Sequence, residues 1–224
     1  MKLSSSLLCA TTLQLAGIVI AAPAPASSGT ASGPPAAGPS LTADMIKAIA
    51  PGSASCRKDE PDARSAGQAV GFIAKSMQDN GVTDPREVAA VLSLMAFESG
   101  DFRYKRNVFP GRPGQGTANM QMANFNLLYA QSLPAVRDQV ADVKTTDGLP
   151  ADKLNAILDL VTPDEYNFGS GPWFLTTQCA PDVREKLRAD IDTGFAAYMK
   201  CVGVEVTDDR KQYLTRAKKA FGLE

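Results

Sequence analysis

The stretch from Pro85 to Phe97, Pro-Arg-Glu-Val-Ala-Ala-Val-Leu-Ser-Leu-Met-Ala-Phe, constrains the fold of this chain more than any other feature. Val88, Ala89, Ala90, Val91, Leu92, Leu94, Met95 and Ala96 leave it no polar face. Its residues read as helix, and a helix that is apolar on every side has to be surrounded by other elements. Thr83 or Asp84 can cap its start, and Pro85 suits the first turn. Glu98 ends it.

The elements available to surround it also carry helical periods. Leu41 to Ile49 predicts a short helix with Thr42 as cap. Ser65 to Asn80 sets Ala66, Ala69, Val70, Ile73, Ala74 and Met77 at spacings of three and four, and Asn80-Gly81 stops it. Tyr104 to Gly116 is irregular. Asn119–Leu133, Leu149–Leu160 and Asp208–Gly222 read as further helices, the last with Tyr213, Ala217 and Phe221 on one face. Pro172–Thr177 is expected to run straight into one long helix over Pro181–Lys200. Alternation is confined to possible short strands near Val202–Val206. The expected class is mainly α.

Residues 1–21 read as a secretory signal, from Lys2 through the apolar run Leu7–Ile20 to the small residues before Ala22. That run is too short to span a bilayer. Residues 22–40, rich in Ala, Pro, Ser and Gly, read as a disordered linker. Residues 41–224 suit one domain, secreted to the extracellular space and monomeric, with no membrane partner. No basic patch invites nucleic acid.

Export implies an oxidising compartment. Cys9 leaves with the signal, so Cys56, Cys179 and Cys201 remain, which suggests one disulfide and one free thiol. A straight Pro181–Lys200 helix would be roughly 27–30 Å long at 1.5 Å per residue. Cys179 and Cys201 would then be too far apart to bond. Cys56 is the expected partner of one or the other.

The chain has no His. Ser–His–Asp and Cys–His catalysis are excluded, as are imidazole metal sites; no metal and no cofactor are expected. Acid–base work falls to Asp, Glu, Lys or Tyr. Glu98 stands out because a helix C-terminus and apolar neighbours (Met95, Phe97, Phe102) both disfavour its charged form. A general acid for glycosidic cleavage needs that environment. An ordinary exposed Glu at a helix end, helped by Arg103, is the alternative reading.

Glu98-Ser99, Gly116-x-x-Asn119-Met120-Gln121 and Tyr166-Asn167-x-Gly169 resemble, in order and spacing, the Glu-Ser, Gly-Leu-Met-Gln and Ala-Tyr-Asn-x-Gly motifs of lytic transglycosylases and goose-type lysozymes. The intervals are 23 residues from Glu98 to Gln121 and 45 from Gln121 to Tyr166. The segments Phe-Glu-Ser-Gly and Trp-Phe-Leu-Thr-Thr-Gln-Cys also resemble small secreted fungal lysozyme-like proteins. Asn119 replaces the family's Leu, the Gly is displaced, and Glu165 stands where Ala is usual.

The resemblance implies a lysozyme-like α domain with a deep substrate cleft. It implies a glycosidase acting on a β-1,4-linked amino-sugar polymer, with peptidoglycan as the first candidate and hydrolysis or anhydro-sugar formation as its chemistry. Glu98 would be the acid/base. Ser99, Gly116, Met120, Gln121, Tyr166 and Asn167 would bind substrate, and Asp101 is the reserve second carboxylate. Chitin or chitosan cleavage, or non-catalytic wall binding, are the alternatives. Trp173 and Phe174 either stack on a sugar or anchor the core beneath the site. Arg103, Lys105, Arg106 and Arg112 form either a basic approach to acidic stem peptides or a solvated loop.

Overall fold

A computed structural model describes residues 41–56 and 59–224. The expected signal and linker lie outside the described residues. The chain starts with α1 (Ala43–Ile49), capped by Thr42, whose side chain accepts a hydrogen bond from the Met45 N–H. A 3-10 turn, Pro51–Ala54, follows. In α2 (Ala66–Asp79) a capping box pairs Ser65 with Gln68, satisfying two otherwise orphaned donors. Asp84 caps α3 (Pro85–Glu98) through the Arg86 N–H, with Pro85 in its first turn.

The prediction for α3 holds: Ala89 through Ala96 are all buried. Helix α10 (Asp208–Phe221), the hairpin of α8 (Pro181–Ala189) and α9 (Ile191–Val202), and α7 (Ser170–Thr177) pack around it. The core about α3 takes Ile46, Ile73, Leu92, Met95, Phe168 and Tyr198, among others. Gly171 lets α7 approach closely, since a Cβ there would collide with Met95. A second core joins α4 (Ala123–Ser132) and α5 (Ala151–Val161) to Trp173 and Phe174 through Leu127, Tyr129 and Leu158. Between α5 and α7 lies the short α6 (Asp164–Asn167).

One charge is buried in α3. Glu87 is 1% exposed and accepts hydrogen bonds from Arg184 at 2.7 and 2.9 Å and from Arg188 at 3.1 Å. A carboxylate this deep persists only with such partners. They tie α8 to α3.

Three expectations need correction. The long helix is two helices. Asp190 leaves the helical conformation (φ −151, ψ 120), and its side chain accepts from the Thr193 N–H to cap α9. The chain folds back so closely that a Cβ on Gly194 would fall on the Leu187 backbone. The hairpin brings Cys179 and Cys201 to a Cα separation of 5.6 Å, and they are bonded to each other, leaving Cys56 free. The straight rod that argued for Cys56 does not exist. The expected strands near Val202–Val206 are also absent: Gly203 ends α9 in the left-handed conformation, and the described residues contain isolated bridges only.

Candidate functional site

The last turn of α3 delivers Glu98 to a cleft of about 320 Å³ where the two cores meet. Leu94 and Glu98 line it, as do residues of the loop Arg112–Met122. Phe125 of α4, Phe174 of α7 and the turn Val202–Val204 complete the lining. The lining mixes apolar side chains with Glu, Arg, Gln and Asn.

Glu98 is not held among apolar neighbours alone. Arg210 of α10 donates to its Oε1 at 2.7 Å, and the same guanidinium lies 4.6 Å from the centre of the Phe97 ring. Both ion-pair side chains are largely buried, 14% and 20% exposed. A carboxylate already engaged by a guanidinium differs from the unpartnered acid that glycosidic cleavage would need. Arg210 lies 112 residues away in sequence, and no local signal announces it.

Beyond Glu98 the backbone is unusual. Gly100, Asp101 and Phe102 follow one another in the left-handed region (φ 59, 62 and 65), and Thr117 and Met120 join them across the loop (φ 67 and 47). For residues other than Gly this conformation is costly and persists only where packing and hydrogen bonds enforce it. Ser99 supplies part of that enforcement. Fully buried, it donates from Oγ to the Met95 carbonyl at 2.6 Å and accepts from the Phe102 N–H at 2.9 Å. Asp101 does not line the cleft. Its carboxylate accepts from the Gly52 N–H and the Tyr213 hydroxyl, both at 2.7 Å, clamping the 3-10 turn and α10 to the end of α3. Burial and this contact push the Tyr213 hydroxyl up to about 12.

The middle motif is a chain of amides. Asn126 donates to the Gly114 carbonyl at 2.8 Å and accepts from Gln121 Nε2 at 2.9 Å. Gln121 Oε1 accepts in turn from Asn119 Nδ2 at 3.5 Å. Gln115 Nε2 donates to the Met120 carbonyl at 3.0 Å. Gln121 and Met120 line the cleft, together with Gln115 and Asn119, which the sequence reading did not assign. Gly116 does not line it; a Cβ there would collide with the Lys105 carbonyl and Leu158, so its role is packing.

The third motif also stands apart from the lining. The Tyr166 carbonyl accepts from the Tyr129 hydroxyl at 2.9 Å, and the Asn167 carbonyl accepts from Ser170 Oγ at 2.8 Å and the Ala118 N–H at 3.4 Å. Burial pushes the Tyr129 hydroxyl far above its ordinary value. Beside them, Asp164 accepts from Arg64 at 2.7 Å and buried Lys105 at 2.6 Å. Burial pushes its carboxyl up, but the hydrogen bonds and charges of Arg64 and Lys105 outweigh that and hold it below the usual range. Of the basic run, Lys105, Arg106 and Arg103 are paired with Asp164, Asp159 and Glu60, and Arg112 faces the cleft. Trp173 is 6% exposed and packs on Tyr129, which makes it a core anchor. Among the described residues no group of three or more His, Cys, Asp or Glu comes together as metal ligands would.

No family model and no solved structure matches this chain. It is similar to a protein of Fusarium oxysporum (strain Fo5176), named bifunctional dioxygenase (DOX)-epoxy alcohol synthase (EAS). The two are 56% identical over 157 residues, 70% of this chain but 12% of that protein. A match of 157 residues within 224, wherever it lies, takes in residues 68–157 and hence Glu98, Gln115, Asn119 and Gln121.

This similarity overturns the lysozyme-like assignment. Three motifs of a few residues each carried it, against 56% identity to a protein named for oxygen chemistry. Glycosidase action with Glu98 as general acid, on peptidoglycan, chitin or chitosan, is withdrawn, and so is the wall-binding alternative. The structure gives the physical reason the motifs misled. Ser99 and Gly116 each satisfy a backbone or packing need that any tight all-α fold can have.

Proposed function

We propose that this chain is a binding module that serves oxygenase chemistry: its cleft holds an oxygenated, amphipathic small molecule of the epoxy-alcohol class. The observation that carries the reading is the mixed apolar and polar lining of the cleft. Leu94, Phe125, Phe174 and Val204 suit a hydrocarbon segment, while Arg112, Gln115, Asn119 and Gln121 suit oxygen functions. The name of the Fusarium relative supplies the chemical class. Because this chain corresponds to 12% of that protein, the reading assigns it one part of a larger task. A cleft of about 320 Å³ is of the size that takes a small amphipathic molecule, for which an epoxyoctanol is a suitable probe.

Oxygenases work through haem, flavin, copper or non-haem iron. The residues here do not fit an iron or copper centre of the imidazole–carboxylate kind: the sequence offers no imidazole, and the described residues bring no carboxylate or thiol cluster together. The module is therefore given the task of holding the molecule, and no oxygen-transfer step is assigned to it. The Cys179–Cys201 disulfide supports an oxidising, extracellular setting.

Trp173, the only Trp, is packed 6.3 Å from the ring of Phe174 in the cleft wall, so its fluorescence reports on occupancy. Titration with an epoxyoctanol should change that emission saturably, and Phe174→Ala should weaken the binding. An emission that stays flat or drifts linearly with epoxyoctanol would sink the reading.

A further inference from the structure

We propose that Glu98 is the receptor for the ligand's hydroxyl group: the molecule in the cleft donates one hydroxyl hydrogen bond to Glu98 Oε2 and presents its epoxide oxygen to Arg112. The inference deepens, and rests on, the reading of the cleft as a site for an amphipathic molecule of the epoxy-alcohol class.

Donors and acceptors are unequally shared among the side chains that line the cleft. Gln115 and Asn119 turn their NH₂ groups to the Met120 carbonyl and to Gln121 Oε1, and their own oxygens are buried out of reach. Gln121 Oε1 is thus already taken, and its Nε2 donates to Asn126. These three amides therefore offer a ligand no free acceptor. Arg112 only donates. It is exposed and pairs with no carboxylate among the described residues.

Glu98 is the exception. Its Oε1 accepts from Arg210 at 2.7 Å, while its Oε2 accepts from no described group. The side chain is 20% exposed and lines the cleft, and Oε2 is open to solvent. It is the one free acceptor oxygen among the described side chains of the lining.

Water serves such an oxygen until a ligand arrives, and a ligand that displaces the water has to bring a donor or lose affinity. An ether or a hydrocarbon brings none. An ammonium does, but Arg210 and Arg112 already bring two positive charges to the surroundings of this one carboxylate, and a third would be repelled. A neutral hydroxyl meets the acceptor without adding charge. An epoxide oxygen only accepts, which suits Arg112. The two oxygens of an epoxy alcohol thus meet opposite kinds of partner. That sets the ligand's direction, hydroxyl toward the end of α3 and epoxide toward the Arg112 loop.

The test compares, by Trp173 emission, an epoxyoctanol with its O-methyl ether and with epoxyoctane. The last two lack the donor and are more apolar, so a preference for the alcohol cannot come from burial. A hydrogen bond to a charged group is worth roughly tenfold to a hundredfold in affinity. Epoxyoctanol should bind more tightly than either by about that factor. In Glu98→Gln, Arg210 holds the amide oxygen, so NH₂ takes the place of Oε2 and the alcohol's advantage should vanish. If that variant does not fold, Glu98→Met combined with Arg210→Met removes the whole ion pair, an exchange that buried pairs commonly tolerate, and the same loss is expected. Arg112→Met should instead weaken all three ligands and leave their ratios in place. Equal affinity for alcohol and ether overturns the inference while the binding reading stands. So does an advantage that survives loss of the Glu98 carboxylate, or three affinities unmoved by Arg112→Met. Absence of saturable binding by all three ligands overturns both.

Discussion

Replacing both Cys179 and Cys201 with Ala should lower the melting temperature of the domain substantially, while Cys56→Ala should leave it nearly unchanged. The bond closes a loop with a sequence separation of 22. In the chain-entropy treatment, a loop of that size restricts the unfolded ensemble by about 11 cal/mol/K, or roughly 3 kcal/mol at 25 °C. For a domain of this size each kcal/mol shifts the midpoint by about 2–4 °C. The expected fall is therefore about 6–12 °C. The double replacement avoids a new thiol that would compete for Cys56. Scanning calorimetry under non-reducing conditions measures the midpoints, and thiol labelling of the unfolded, unreduced protein should modify Cys56 but neither Cys179 nor Cys201. A fall below about 2 °C, or an equal fall for Cys56→Ala, would refute the assignment of the bridge to the α8–α9 hairpin.

Glu87→Gln should cost about 3 kcal/mol, near the lower end for breaking a buried pair because Arg184 and Arg188 keep some contact with water; denaturant titration measures it, and a cost under about 1 kcal/mol would show the pair to be worth no more than a surface one. Asp164 gives a pH test. Arg64 and Lys105 hold its folded pKa below the unfolded value of about 3.9, so its contribution is present above that value and lost as pH falls through the folded one. Wild type should out-melt Asp164→Asn near neutrality, and the gap should close toward strongly acid pH; a gap that widens on acidification would contradict the sign.

The cap at Thr42, a cap at Thr83 or Asp84, the stop at Asn80-Gly81 and the apolar surround of α3 were legible in the sequence because they depend on residues within a turn of one another. A cap is a hydrogen bond between near neighbours, and periodicity tells which face must leave water. The break between α8 and α9 had a local signal too, Asp190 three residues before Thr193, but it was overridden by the run of helix-forming residues on either side. Met120 and Gln121 line the cleft. Gln115, Asn119 and Arg210 were not found, and Ser99, Gly116, Tyr166 and Asn167 were assigned to a lining they do not form. Residue type at a spacing does not tell whether a polar side chain turns to a ligand or to its own backbone. That choice is made by packing, which set Arg210 against Glu98 across 112 residues and Arg184 against Glu87 across 97. The sequence by itself determined where the first three helices start and which one is buried. Only the tertiary structure decided the disulfide, the cleft and the partners of its charges, because each joins groups that come close only once α3 has been surrounded.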